Sequence, residues 1–212
     1  NIQANKCIFF AHFFYFCARK QRKMKRIAIF ASGEGTNTEH IIRYFNAGKT
    51  AEIALVVASR PTAGVIGRAE RMHVPCRVIS SSEFAAGKAT CILQDYEIDF
   101  IVLAGFLLKV PDEMITLYPH RIVNIHPSLL PKFGGKGMYG LHVHEAVLAA
   151  GEHVSGITIH YIDGHYDEGT VIFQAGCPVF PDDVPESLAA RVHELEYRYY
   201  PVVIEKLVNS LE

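Results

Sequence analysis

Two side chains separated by one residue carry the clearest chemistry in this sequence. Asn124 and His126 stand at the end of a short, apolar, β-branched run, which predicts a strand over residues 121–125. In an extended backbone, side chains two positions apart point to the same face. The Asn124 amide donates hydrogen bonds without changing charge, and the His126 imidazole can carry a proton near neutral pH. Such a pair suits a carbonyl that gains negative charge during acyl transfer.

This pair lies in the octapeptide Asn-Ile-His-Pro-Ser-Leu-Leu-Pro at residues 124–131. Each of its two prolines fixes its own φ and restricts the residue before it, so the turn after the strand is rigid. An isolated Asn-x-His pair ordinarily caps a turn and satisfies a backbone carbonyl. Because two prolines frame the pair, the octapeptide is a much more specific sign of a functional site than an isolated Asn-x-His.

A glycine-rich loop at residues 32–37 lies between a predicted strand and a predicted helix. Glycine lets a ligand approach the backbone, and a helix N-terminus offers free N–H groups to an anion. Thr38 stands where a dinucleotide-binding loop has its third glycine, and no Gly-Lys-Ser/Thr sequence follows. A single monophosphate fits better, held by the amides of Gly35, Thr36 and Asn37. A purely structural turn is the alternative.

The order of the predicted elements brings these segments to one edge of a sheet. Strands alternate with helices up to residue 125, which predicts a parallel sheet with right-handed crossovers. Ligands bind at the carboxyl ends of the strands in such a sheet. The predicted strands are residues 26–31, 51–58, 76–79, 100–104 and 121–125, then an antiparallel pair at 154–162 and 170–175. The predicted helices are residues 38–45, 63–72, 82–96, 112–117, 141–150 and 185–211, the last kinked or interrupted by Pro201.

Composition and charge narrow the class of protein. The chain has 212 residues, of which 50% are hydrophobic, and its formal net charge is −1. This balance provides no general attraction for nucleic acid or for an anionic membrane. The five scattered cysteines favour a reduced, cytoplasmic protein. His142 and His144 do not share a helix face and lack a third ligand at a familiar spacing, so we predict no metal site.

Residues 1–23 differ in composition from the remainder of the chain. An apolar and aromatic run at residues 8–16 precedes a basic run, which is the reverse of the order in a secretory signal. The apolar run is also too short to span a bilayer. We therefore expect residues 1–23 to be an upstream extension, with a membrane-surface anchor as the alternative, and residues 24–212 to form a single domain.

The octapeptide resembles that of the folate-dependent formyltransferases, most closely the phosphoribosylglycinamide formyltransferase family, and the resemblance runs from about residue 25 to near the C-terminus. It implies an α/β, Rossmann-like formyltransferase fold: a mostly parallel twisted sheet flanked by helices, with antiparallel C-terminal strands and a long C-terminal helix. The implied reaction moves a formyl group from 10-formyltetrahydrofolate to the amine of glycinamide ribonucleotide in purine biosynthesis. Both small molecules are the implied partners of a monomer or homodimer.

The resemblance also assigns roles to individual residues. The implied catalytic set is Asn124, His126 and Asp167, with His160 in support and Asp167 holding His126 protonated. Counting back from the aliphatic run at residues 171–172 selects Asp167 rather than Asp163. The glycine loop would hold the substrate phosphate through Gly35, Thr36 and Asn37, and the ribose would be bound by His193 and Glu196. The implied folate-binding residues are Leu107, Leu108, Lys109, Val110, Asn124, Asp163, Gly164, His165, Tyr166 and Asp167.

Three other functions fit parts of the sequence. Methionyl-tRNA formyltransferase would need a basic, tRNA-binding appendage, and formyltetrahydrofolate hydrolase would need an N-terminal regulatory domain. A non-catalytic nucleotide-binding module would keep the glycine loop but would have no use for the Asn124 octapeptide. The glycines of residues 133–140 predict a mobile loop near the site.

Overall fold

The computed structural model describes residues 24–211, and the predicted extension at residues 1–23 lies outside them. In the described part, seven strands form one sheet in the order β3-β2-β1-β4-β5-β6-β7. The first five strands run parallel, and β6 is antiparallel to both of its neighbours. The strands are β1 (Lys25–Ala31), β2 (Ala51–Ala58), β3 (Cys76–Val78), β4 (Phe100–Leu103), β5 (Ile122–His126), β6 (Val154–Tyr161) and β7 (Val171–Pro178). The predicted α/β fold with antiparallel C-terminal strands is confirmed.

Helices cover both faces of this sheet. They are α1 (Thr36–Gly48), α2 (Val65–Arg71), α3 (Ser81–Ala85), α4 (Lys88–Asp95), α5 (Asp112–Leu117), α6 (Leu141–Ala149) and α7 (Pro185–Asn209). Alternate residues of β1 belong to opposite cores: Ile27 and Ile29 pack with the α1 and α7 side, whereas Ala28 and Phe30 pack with the α3 to α5 side. All four are fully buried, as expected for a central strand of a two-sided sheet.

The structure bears on two predictions about the helices. The single helix predicted at residues 82–96 is two helices, because Gly87 adopts φ 79 and interrupts it before α4. Pro201, predicted to kink or interrupt the last helix, does not interrupt it, and α7 continues to Asn209. Proline removes one backbone hydrogen bond from a helix, but α7 buries Leu188 and Ile204 in the core. This tertiary packing stabilises the helix beyond what its local sequence supplies.

The strand that carries the octapeptide extends one residue beyond its predicted end. β5 ends at His126, and both Asn124 and His126 lie within it. Across the antiparallel ladder, Asn124 faces His160 and His126 faces Thr158. The register of β6 therefore decides which side chains stand beside the candidate catalytic pair.

Tyr200 of α7 ties the long helix to two neighbouring strands of the sheet, β4 and β5. Its side chain is fully buried, and its hydroxyl donates to the Leu103 carbonyl at 2.8 Å and lies 3.2 Å from the Val123 carbonyl. Leu103 is the last residue of β4, and Val123 is the second residue of β5. The two strands that lead to the site are thus tied to α7.

We expect Tyr200→Phe to lower the free energy of unfolding by about 1–3 kcal/mol, because a buried carbonyl loses its donor. Tyr199→Phe is the matched control, since Tyr199 is partly buried and packs its ring against Phe173. Urea unfolding of both variants measures the difference. Equal stability of the two variants would contradict the role given to the Tyr200 hydroxyl.

Candidate active site

A cavity of about 700 Å³ opens at the carboxyl ends of β1, β4 and β5. One wall is the glycine loop, a second is the segment after β4, and a third is formed by α6 and α7. The predicted site residues that line it are Gly35, Thr36, Asn37, Leu107, Leu108, Lys109, Val110, Asn124, His126, Asp163, His165, Tyr166, Asp167, His193 and Glu196. Gly164 does not line the cavity and instead faces Asp112, since a Cβ at Gly164 would lie 3.7 Å from the Asp112 Oδ1 atom.

His126 is held between a backbone carbonyl and a carboxylate. Its Nε2 lies 2.7 Å from the Phe133 carbonyl oxygen, and its Nδ1 lies 3.5 Å from Asp167 Oδ2. A carbonyl oxygen only accepts hydrogen bonds, so Nε2 carries a proton and the nitrogen that titrates is Nδ1, which faces Asp167. The imidazole is 3% exposed, so its charge state is set by these neighbours and by burial.

Burial and charge act in opposite directions on this pair. Burial lowers the pKa of His126 below its ordinary value, although the Asp167 charge and the Phe133 carbonyl act to raise it. Burial acts to raise the pKa of Asp167, but the neighbouring His160, the charge of His126 and the Gly135 amide together hold that pKa below its ordinary value. Asp167 therefore favours protonated His126, as the sequence implied, without outweighing the burial of the imidazole.

His160 supports Asn124 from the adjoining strand. The His160 Nδ1 atom lies 2.9 Å from the Tyr161 carbonyl oxygen, which makes Nδ1 the donor and leaves Nε2 as an acceptor. Asn124 Nδ2 lies 3.2 Å from that Nε2. One N–H of the Asn124 amide is thereby bound, and its orientation directs the second N–H to a ligand. His160 does not itself line the cavity, and it is 1% exposed.

The glycine-rich segment at residues 133–140 contacts the candidate catalytic residues directly. Its Gly135 amide donates to Asp167 Oδ2 at 2.9 Å, and its Phe133 carbonyl accepts from His126. Gly134 packs so closely that an added Cβ would lie 3.2 Å from the Asp167 Cβ atom. Sequence reasoning placed this loop near the site but found no role for it, because backbone groups carry no residue-type signal.

The glycine loop has the geometry of an anion cradle. Gly35 adopts φ 77, and α1 begins at the next residue, so the amides of Thr36 and Asn37 lie in the first turn of the helix. Arg60, at the end of β2, lines the same part of the cavity and donates from Nε to the Ser32 carbonyl at 2.8 Å. Arg60 was missed from sequence, although it follows Ser59 at the strand end where a dinucleotide site would have an acidic residue.

Glu196 connects the glycine loop with the C-terminal helix. Its Oε2 accepts from Asn37 Nδ2 at 2.8 Å and pairs with His193 Nδ1 at 2.7 Å. This hydrogen bond with Glu196 raises the pKa of His193 above its ordinary value. The carboxylate is 4% exposed and lines the cavity, so it can accept from a ligand that donates hydrogen bonds.

Within residues 24–211, no group of three or more His, Cys, Asp or Glu side chains is arranged to hold a metal ion. His142 is exposed, whereas His144 is buried, so the two histidines face different surroundings. None of the helices in that part of the chain is long and apolar enough to cross a membrane.

Comparison with known proteins places this site in a family. The model of the formyl transferase family matches residues 25–204, and the chain belongs to that family. Phosphoribosylglycinamide formyltransferase of Bacillus subtilis is 38% identical over 192 residues, which cover 88% of this chain and 96% of that relative. The crystal structure of phosphoribosylglycinamide formyltransferase from Bacillus halodurans has a TM-score of 0.80 and 37% identity, covering 89% of this chain and 97% of that one.

Plant relatives are longer than the matched region. The chloroplastic phosphoribosylglycinamide formyltransferase of Vigna unguiculata is 39% identical over 194 residues, which cover 89% of this chain and 62% of the relative. For the Arabidopsis thaliana protein of the same name, the covered share of the relative is 65%. The chain thus spans a little less than two thirds of these plant relatives.

We expect Gly35→Ala to damage the anion cradle. A Cβ at Gly35 would lie 2.5 Å from Val65 Cγ2 and 2.8 Å from Val65 Cα, and the left-handed backbone there costs a non-glycine residue about 1–2 kcal/mol. Thermal unfolding should show this loss, and calorimetry should show weaker binding of glycinamide ribonucleotide than of folate relative to the unsubstituted protein. Gly33→Ala is the control for stability, because a Cβ at Gly33 would have no atom within 4 Å. Equal weakening of both ligands would contradict a separate phosphate site.

Proposed function

We propose that this protein transfers the formyl group of 10-formyltetrahydrofolate to the amine of glycinamide ribonucleotide. One observation carries the proposal: Asn124, His126 and Asp167 meet in a single cavity between an anion cradle and an apolar wall. The match to phosphoribosylglycinamide formyltransferase of Bacillus subtilis, over 96% of that relative's length, supports the same reaction here.

The segment after β4 fits a flat, largely apolar ring system. Leu107, Leu108 and Val110 line the cavity there, and Ile162 completes the apolar side. Asp163 and its neighbours in the 163–167 turn provide polar groups at the rim. These are the features expected of a pterin pocket, which needs apolar faces and a few convergent polar contacts. When bound, 10-formyltetrahydrofolate would supply the formyl group.

The opposite end of the cavity fits a phosphorylated sugar. The first-turn amides of Thr36 and Asn37 and the Arg60 guanidinium offer positive groups to a phosphate. Glu196 offers a carboxylate to hydroxyl groups beside them. The formyl carbon would therefore be attacked midway between the two ends, where Asn124 and His126 line the cavity.

In this mechanism each catalytic residue has a separate task. The free N–H of Asn124, oriented by His160, donates to the oxygen that gains negative charge during acyl transfer. Protonated His126 would donate a second hydrogen bond to that oxygen and give its proton to the tetrahydrofolate nitrogen, which leaves as its bond to the formyl carbon breaks. Burial makes His126 a stronger acid because the charged imidazole is poorly solvated. Asp167 stabilises the protonated form from 3.5 Å away and is the acceptor for the proton that the attacking nitrogen loses.

A cytoplasmic location and reduced thiols are part of this proposal. Cys76, Cys91 and Cys177 are free in the described part of the chain, and no helix there qualifies as a membrane span. A reduced compartment suits such thiols.

Three parallel assays test which molecule accepts the formyl group. Each measures the rate of transfer from 10-formyltetrahydrofolate, to glycinamide ribonucleotide, to methionyl-tRNA or to water. We expect rapid transfer to the ribonucleotide, because the site has both a phosphate cradle and Glu196. Faster transfer to methionyl-tRNA or to water would replace the proposal with the corresponding alternative function. Transfer to none of the three would indicate a binding module.

Asp167→Asn tests the electrostatic role of the carboxylate. It removes the charge that favours protonated His126, so we expect turnover to fall by about 10²-fold or more, the scale of a lost acid–base partner, while both ligands still bind. The pKa of His126 should fall further below its ordinary value, because only the Phe133 contact and the remaining charges would oppose burial. Single-turnover kinetics and imidazole titration by NMR measure the two effects.

Asp163→Asn is the control, since Asp163 lies in the same turn and accepts from the His165 amide at 2.9 Å. It should change folate affinity more than the chemical step. An inactive Asp163→Asn variant beside a nearly normal Asp167→Asn variant would contradict the assignment of the catalytic aspartate.

A further inference from the structure

A fully buried hydroxyl of β6 holds the turn that follows His126. Thr158 Oγ1 donates to the Ser128 carbonyl at 2.7 Å and accepts from the Leu130 amide at 2.9 Å. It also accepts from Gln174 Nε2 at 2.8 Å, so the single donor and both acceptor positions of the hydroxyl are used. Gln174 Nε2 donates in addition to the Leu130 carbonyl at 3.0 Å. Two side chains of β6 and β7 thus bind three backbone groups of the octapeptide.

Ser128 carries this support further along the turn. Its side chain is 1% exposed, and its Oγ donates to the Lys132 carbonyl at 2.7 Å. The next residue is Phe133, whose carbonyl oxygen lies 2.7 Å from His126 Nε2. Thr158 stands opposite His126 across the antiparallel ladder, so one strand supports both this histidine and the turn that returns to it. The position of the Phe133 carbonyl at the imidazole therefore depends on the Thr158 and Ser128 hydroxyls.

The Phe133 carbonyl decides which nitrogen of His126 carries the proton in the neutral imidazole. Because a carbonyl only accepts, the proton stays on Nε2, and the lone pair of Nδ1 faces Asp167 Oδ2 at 3.5 Å. Without the carbonyl, we expect the neutral ring to place its proton on Nδ1, toward the carboxylate. A lone pair that faces an anion takes up a proton more readily. The turn therefore favours the doubly protonated ring that acts in the proposed reaction.

We propose that Thr158 and Ser128 are positioning residues for catalysis: their hydroxyls hold the Phe133 carbonyl on His126 Nε2 and so reserve Nδ1 for the proton that the reaction uses. This inference deepens the proposed function and rests on it, because it takes His126 as the proton donor. Neither Thr158 nor Ser128 lines the cavity, so both act through His126.

Thr158→Val and Ser128→Ala each remove one hydroxyl with little change of shape. Assays are run well below the melting temperature of each variant, where all of the protein is folded and a loss of stability alone leaves kcat unchanged. There we expect kcat for formylation of glycinamide ribonucleotide to fall about 10- to 10²-fold, the scale of a misplaced catalytic group, with both KM values nearly unchanged.

Two further variants of β6 serve as controls. Thr158→Ser keeps the hydroxyl and should retain most of the activity. Ser155→Ala removes a hydroxyl that is buried on the same strand, and its Oγ has no hydrogen-bond partner in the described part of the chain. The kcat of Ser155→Ala should therefore equal that of the unsubstituted protein.

Nitrogen NMR of the His126 imidazole in the ligand-free protein tests the inference without any reaction. Neutral His126 should be protonated on Nε2 in the unsubstituted protein and in Ser155→Ala. In Thr158→Val and Ser128→Ala the proton should move to Nδ1, because the carbonyl no longer holds it on Nε2.

The titration of His126 should also move in a defined direction. Loss of the Phe133 contact should lower the pKa of His126 further below its ordinary value, because that contact acts to raise it. Asp167 and Glu196 also act to raise this pKa, and His160 acts to lower it, and all three remain in the variants. The pH below which His126 is protonated should therefore be lower in both variants.

The outcomes separate a positioning role from a purely structural one. Unchanged kcat in Thr158→Val and Ser128→Ala, with neutral His126 still protonated on Nε2, would overturn the inference even if the melting temperature fell. Increases in both KM values at unchanged kcat would overturn it as well. Gln174→Met leaves the Thr158 hydroxyl in place and should show the same effects to a smaller extent, so it carries the test together with Ser128→Ala if Thr158→Val does not fold. Failure of the proposed function is distinct, because the unsubstituted protein would then not formylate the ribonucleotide, whatever the NMR result.

Discussion

The geometry of this site depends on the contacts that the Asp167 carboxylate makes. Its Oδ2 accepts from the Gly135 amide and faces His126 Nδ1, and its Oδ1 lies 3.6 Å from His160 Nε2. Asp167 itself adopts φ 58, a left-handed conformation that costs a residue other than glycine free energy. The Gly135 amide and the His126 imidazole, from two separate segments, hold the carboxylate in that conformation. The 133–140 loop and the octapeptide are thereby fixed relative to the turn that carries Asp167.

The Asp167 carboxylate affects the charge state of His126 strongly because both groups are buried. Desolvation opposes charge on His126, and Asp167 partly compensates for it across a short distance. His126 therefore holds its proton weakly, whereas the neighbouring Asp167 carboxylate stays charged. In an open, solvated loop the same residues would interact far less, because water screens charges and competes for hydrogen bonds. Burial of the histidines is thus as important to the chemistry as their identity.

The acceptor end of the cavity is organised by a second carboxylate. Glu196 binds Asn37 of the glycine loop and His193 of its own helix. This arrangement joins the glycine loop on one wall to the wall formed by α6 and α7.

The sequence by itself determined those features that depend on local periodicity and spacing. The alternation of strands and helices, the glycine loop at a strand–helix junction, and the shared direction of Asn124 and His126 all follow from patterns within a few residues. Tertiary structure alone decided that His160 faces Asn124, because that contact depends on the register between β5 and β6. It also decided that α7 continues through Pro201, since packing outweighed a local breaker. The role of the Gly135 amide and the hydrogen bonds of Thr158 to the octapeptide turn could not be read from sequence, because both arise where segments distant in the chain pack together.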